Sequence, residues 1–320
     1  MNKIIIKYLI FIFLSAANYA CSKNGSSPAS ETNNPDLLTG FNQNWAFLPP
    51  LNNTVFINNI IQLKPRLIRY PGGTVTHSWN WRNGTYNPPR ANDFVHPIGD
   101  IKTLVDVTNV KIVFDLDVVN SSLTDQITML DSVQKLGVPV EYIELGNELY
   151  ANNHGYEVQF PDGNAYADTV NNWVPVLRAK YPTAKIAALH IGKLTNNTRQ
   201  LNWNQQVTSS INDIDAFTYH IYIDSAENFE QRKSRFLSAY YNPGNKPIWI
   251  TEYGNLNPYT QPDYLQELTK LADYVESFPL VRIALNHALV STTTDRSKLE
   301  KATLGNTFTA EGLMFTSRVQ

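Results

Sequence analysis

Strand-length apolar runs alternate with helix-length stretches through most of this chain, and that alternation limits its fold more than any other feature. Eight runs read as strands, at residues 38–45, 66–70, 111–119, 141–148, 185–191, 216–222, 247–253 and 282–290. The later intervals have helical character. Residues 124–135 are amphipathic and stop at Gly137, 165–180 stop at Pro182, and 264–278 lie between Pro262 and Pro279. Strand followed by helix, repeated, implies parallel pairing through crossover helices. Eight such units point to a closed (β/α)8 barrel, the TIM barrel, rather than an open sheet.

That fold carries its chemistry at the C-terminal ends of the strands. Here those ends read "RYPGG", "DLDVV", "GNE", "YHIY", "TEYG" and "NHALV". Polar, titratable and aromatic residues therefore gather where a cleft should open. Glu148 closes the fourth run and Glu252 the seventh, on strands that face each other across a barrel. Two facing carboxyl groups are what glycosidic-bond cleavage needs: one protonated to donate to the leaving oxygen, the other ionised to attack the anomeric carbon or activate water. Glu144 lies four residues before Glu148 and shares its side of a strand. Its charge needs a partner, for which Arg66 and Arg69 are candidates. Asp115 and Asp117 on the third run could bind sugar hydroxyls or pair with a neighbour. Trp79 and Trp81 after the second run, Tyr150 after the fourth, and Tyr253 and Tyr259 after the seventh are candidate sugar platforms, because a ring face suits the C–H face of a sugar. Trp249, inside the seventh run, reads as a packing residue.

A net charge of −2 over 320 residues provides no basic footprint for nucleic acid. The single cysteine, Cys21, excludes an internal disulfide. It ends a segment with Lys3 and Lys7 at its start and an apolar run over 8–17, too short to cross a bilayer comfortably. Residues 1–21 therefore read as an export signal of the bacterial lipoprotein kind, with Cys21 as lipid anchor, a reading that palmitate labelling tests. The only membrane attachment expected is through that lipid, which would tether the protein to a bacterial outer membrane, periplasmic or surface-facing; the alternative is an ordinary cleaved signal peptide and a secreted protein. Residues 22–36 read as a polar linker and 37–320 as the catalytic barrel, with no C-terminal β-sandwich evident.

The strand-end motifs resemble those of retaining glycoside hydrolases of clan A, and the resemblance spans about residues 38–290. Asn147-Glu148 is similar to that clan's Asn-Glu pair, which makes Glu148 the general acid/base and Asn147 a contact to the sugar 2-hydroxyl. Glu252 in "ITEYG" is similar to its nucleophile. "LIRYPGGT" and "TYHIY" resemble the strand-two and strand-six motifs of the arabinofuranosidase, xylosidase and glucuronidase-type branches. The resemblance implies that Arg69 sits beside the nucleophile, that His220 lies in the pocket, and that Tyr222 reaches Glu252. At the eighth strand, where many clan members carry a tryptophan, this chain has Asn286 and His287. With Arg69 and Tyr222 holding Glu252 ionised, and no cation in its own stretch, Glu148 is free to stay protonated as the acid.

The resulting expectation is double displacement on a poly- or oligosaccharide, without cofactor or metal. Two other readings stay open: a surface-anchored glycan-binding barrel, and a metal-dependent hydrolase using His77, Asp115, Asp117 and His220. The six histidines are scattered, without HxH or HExxH spacing, which weighs against the latter.

Overall fold

A computed structural model describes residues 36–318, except 153, 225 and 293–295. The stretch read as an export signal, Cys21 and the expected linker as far as residue 35 lie outside the described residues. Eight parallel strands close into a barrel: β1 (Leu38–Asn42), β2 (Leu67–Tyr70), β3 (Lys111–Leu116), β4 (Tyr142–Leu145), β5 (Lys185–Leu189), β6 (Ala216–Ile223), β7 (Ile248–Asn255) and β8 (Val281–His287). Each pairs with its sequence neighbours, and β1 pairs with β8 to close the ring. Among the described residues eight α-helices accompany them: α1 (Thr54–Leu63), α2 (Gly99–Thr108), α3 (Leu123–Lys135), α4 (Gly163–Lys180), α5 (Thr198–Ser210), α6 (Phe229–Ala239), α7 (Tyr264–Ser277) and α8 (Ala310–Arg318). The chain is a (β/α)8 barrel. Among the described residues, the strands outside it form one short hairpin, Trp79–Asn80 with Thr85–Tyr86.

Local chemistry sets the helix starts. Asn53, Ser122, Asp162, Asn197 and Asn228 each accept a backbone N–H from three residues on, and so satisfy donors that the helix leaves free. The helices bury an apolar stripe on the barrel; α7 does so with Leu268, Leu271, Ala272 and Val275. The barrel interior is layered. Leu67, Val113, Ala187, Ala216, Trp249 and Ile283 form a buried apolar layer, so Trp249 packs. Above them the interior turns polar, with Arg69, Asp115, Glu144 and Thr251 all buried.

Two features of the strands differ from the sequence reading, and both shape the site. β4 stops at Leu145, three residues short of Glu148. Gly146, at φ 91°, turns the chain, and Glu148 stands beyond the strand at φ 47°, in the left-handed region. A residue with a β-carbon is held there only by its surroundings. On β7 the register slips by one residue: Tyr219 faces Ile250, but His220 faces Glu252. The extra residue is a bulge that re-aims the side chains after it. Thr251 and Glu252 both reach inward, where strict alternation would allow only one.

Candidate active site

Arg69 on β2 is the hub of the site. It is fully buried. Its Nη1 donates to Glu252 Oε1 at 2.7 Å, its Nε to Glu144 Oε2 at 2.7 Å, and its Nη2 lies 2.9 Å from Asp115 Oδ2. Burial alone would lower its pKa, but the three carboxylates more than offset that and raise it, so the guanidinium stays charged. Glu144 thus finds its partner in Arg69, and its Oε1 accepts from Thr251 at 2.8 Å. Asp115 also accepts from Thr76 at 2.6 Å. Burial, opposed by Arg69 and aided by Glu144, pushes the Asp115 carboxyl up to about 7.

Glu252 is clamped on both oxygens. Arg69 holds Oε1, and the Tyr222 hydroxyl donates to Oε2 at 2.7 Å. Burial would raise its pKa, yet the positive character of His220, Arg69 and His287, with the Tyr222 hydrogen bond, brings it down to about 2. Glu252 is therefore a carboxylate at neutral pH. Next to it, a β-carbon on Gly73 would lie only 3.3 Å from Oε1, and Gly73 itself sits at φ 67°. The "PGG" turn leaves the carboxylate exposed to the cavity because glycine accepts that conformation.

Glu148 is held more lightly. Its side chain is 32% exposed, and the contact to it is His220 Nδ1 at 2.8 Å from Oε1. The sequence showed no cation near Glu148; His220 occupies that position across the barrel. Burial would lower the pKa of His220, but Glu252 and Glu148 raise it. One oxygen of Glu148, one of Glu252 and a ring nitrogen of His220 all lie within 4.8 Å of one another.

These groups line a cavity of about 540 Å³ that also takes in Tyr150, His287, Asp224 and Arg232. His287 contacts Asn42 Nδ2 through Nδ1 at 2.9 Å. Burial takes its pKa down to about 4 against the pull of Glu252, so it is neutral at physiological pH.

Several predicted residues stand elsewhere. Tyr253 is turned away from the cavity by the β7 bulge, and its hydroxyl lies 3.4 Å from Glu276 on α7. Trp79 is buried in the hairpin and donates through its indole N–H to the Tyr70 hydroxyl at 2.8 Å. Trp81 donates to Asp125 at 3.1 Å. Tyr259 packs edge-on against Tyr264. None of the four lines the cavity. Asn147 is buried, and its side-chain oxygen accepts from Arg69 at 3.1 Å. The proposed metal ligands do not converge. Asp117 accepts from two backbone N–H groups and lies 3.1 Å from His77, Asp115 is bound to Arg69, and His220 stands with the glutamates. Among the described residues the group with converging donor atoms is Glu148, His220 and Glu252. Arg69 and Tyr222 already engage both oxygens of Glu252, which ill suits that group to a cation. Sequence reasoning missed Asn42, Thr251 and Lys193, which lie at or beside the site; "GFNQN" at the end of β1 was the one legible signal among them.

The sequence family described as the glycosyl hydrolase catalytic core matches residues 165–306. The match covers less than half of the chain and supports a glycosidase. The matched stretch of this glycosidase includes His220, Tyr222, Glu252 and His287, while Arg69 and Glu148 precede it. No curated protein matches the sequence. Among solved structures, a family 51 α-L-arabinofuranosidase from Bifidobacterium longum aligns with TM-score 0.60 and 13% identity, over 83% of this chain and 69% of that one. The family 51 α-L-arabinofuranosidase from Thermotoga petrophila gives 0.62 and 13%, over 83% and 66%. A family 128 endo-β-1,3-glucanase from Sorangium cellulosum gives 0.56 and 13%, over 88% and 98%. At these identities the likeness is one of fold.

Proposed function

We propose that this glycosidase cleaves O-glycosidic bonds of a poly- or oligosaccharide with retention of anomeric configuration, with Glu252 as nucleophile and Glu148 as general acid/base. The observation that carries the reading is the close approach of the two carboxyl groups, with oxygens within 4.8 Å, one of them held ionised by Arg69 and Tyr222. Retaining enzymes space their carboxyl groups by roughly 5–5.5 Å, inverting ones by roughly 6.5–9.5 Å to admit a water.

In the first step a Glu252 oxygen attacks the anomeric carbon. The bond from that carbon to the leaving oxygen breaks, and protonated Glu148 gives its proton to that oxygen. The product is a glycosyl ester on Glu252. In the second step Glu148, now a carboxylate, takes a proton from water as the water oxygen attacks the same carbon. The ester bond breaks and Glu252 leaves as a carboxylate, restoring both groups. His220, against Glu148, is placed to follow its charge through this cycle. Proton NMR of the first-formed sugar, taken before mutarotation, tests the reading. Retention is expected, and an inverted product would overturn it. We extend the proposal to export and lipid anchoring at Cys21, which rests on the N-terminal sequence alone.

A further inference from the structure

Glu148 and Glu252 are positioned by different means. Glu252 sits within a strand and is gripped by side chains on both oxygens. Glu148 stands on a turn after its strand, so the backbone beyond it fixes where its carboxyl points. That turn is closed by the Ala151 N–H donating to the Glu148 carbonyl at 2.8 Å. Its carbonyls then converge on one side chain, Arg199, in the first turn of α5. Nη2 donates to Leu149 O at 2.5 Å, Nη1 to Tyr150 O at 2.7 Å and Ala151 O at 3.3 Å, and Nε to Phe160 O at 2.8 Å. Nη1 also reaches Asn152 Oδ1 at 3.1 Å. The neighbouring Gln200 Nε2 donates to the same Tyr150 carbonyl at 3.1 Å. The guanidinium lies over the Trp203 ring, 5.1 Å from its centroid.

All three nitrogens of Arg199 are thus spent on the backbone of this one loop, and no ion pair to a carboxylate competes for them among the described residues. Converging carbonyl dipoles repel one another, and a planar cation with forked donors relieves that repulsion while fixing their spacing. Arg199 does not line the cavity, whereas Tyr150, whose carbonyl it holds, does.

We infer that Arg199 is a positioning residue for the reaction: it fixes the loop that carries Glu148 and so places the acid at the leaving oxygen. The inference rests on Glu148 being the general acid/base. A proton donor matters most when the leaving group is poor and least when it is a stable anion. A misplaced acid therefore gives a loss that depends on the leaving group, which a general loss of fold does not.

The test measures kcat/KM on phenyl and 2,4-dinitrophenyl glycosides of a sugar that the wild-type chain turns over, since kcat/KM reports the first chemical step. The variants are Arg199→Ala, Arg199→Lys, Glu148→Gln and, as a control, Arg178→Ala, whose guanidinium serves Asp213 and Asp215 on the surface. Glu148→Gln should lose about 10²- to 10⁴-fold on the phenyl glycoside and little on the dinitrophenyl one. Arg199→Ala should show the same pattern at smaller size, on the order of 10- to 100-fold on the phenyl glycoside, the cost of a misplaced catalytic group. Arg199→Lys should recover little of it, because a single ammonium cannot span those carbonyls. Arg178→Ala should match the wild type. Equal losses on both glycosides in Arg199→Ala, or no loss on either, would overturn the positioning role. Absence of leaving-group dependence in Glu148→Gln would instead overturn the acid/base assignment beneath it.

Discussion

Replacing Glu252 with alanine is expected to lower kcat by on the order of 10⁴- to 10⁶-fold, the scale seen when a nucleophile is removed from a covalent mechanism, while oligosaccharide binding survives. The reason is local. In the proposed mechanism Glu252 supplies the electron pair that displaces the leaving group. Its loss also removes one of three carboxylates from Arg69, yet Asp115 and Glu144 remain against the guanidinium, so the buried cation is not abandoned. Glu252→Ala should therefore fold, and calorimetric titration with the wild-type substrate should show binding without turnover. Turnover within about tenfold of wild type would rule out a covalent role, given the acceleration that such a step supplies.

Replacing Arg69 with methionine should damage both fold and chemistry. Arg69 lies among Asp115, Glu144 and Glu252, all buried, and methionine leaves those carboxyl groups facing one another without a counter-charge. Stranding buried charge in this way costs about 3–5 kcal/mol, a drop in Tm of roughly 5–15 °C for a domain of this size. The sign of its pH dependence is set by proton uptake. In the wild type, Glu252 has its folded pKa depressed to about 2, so its contribution to stability is present above its unfolded value and is lost as pH falls toward that folded pKa. In Arg69→Met the cation that opposes burial at Asp115 and helps hold Glu252 ionised is gone, so both carboxyls shift upward. The folded variant then binds more protons than the unfolded chain, and its stability falls as pH rises. Melting curves of the two proteins should lie closest in mild acid and separate toward pH 8. The remaining activity should have its acidic limb at higher pH, because Glu252 must still ionise to attack. A gap that stays constant with pH would mean that Arg69 acts by packing rather than by charge.

The barrel was legible because its strands are short apolar runs at regular intervals, a pattern that few folds share. Glu148 and Glu252 could be paired from strand ends, since the fold dictates which ends meet, whereas Arg69, His220 and Tyr222 were legible through the resemblance of "LIRYPGGT" and "TYHIY" to glycosidase strand-end motifs. Glu144 had two candidate partners in the sequence, Arg66 and Arg69, and Arg69 is the one that meets it. What stayed hidden depended on local departures from regular geometry. The bulge at Thr251 leaves no mark in "PIWITEYG", yet it decides that Glu252 faces in and Tyr253 faces out. Trp79 and Trp81 looked like platforms because they come just after a strand end; the hairpin folds them away from the cavity. Arg199 left no signal at all, because its partners are backbone carbonyls, which every residue has.

The central claim is that a covalent bond forms at Glu252, and trapping that bond tests it most directly. The protein is incubated with a 2-deoxy-2-fluoro glycoside bearing an activated leaving group, then digested and analysed by mass spectrometry. The mechanism predicts one glycosyl adduct per chain, on the peptide carrying Glu252, and none on Glu252→Ala. An adduct on another residue, or continued hydrolysis of the activated glycoside with no adduct at any time, would contradict it.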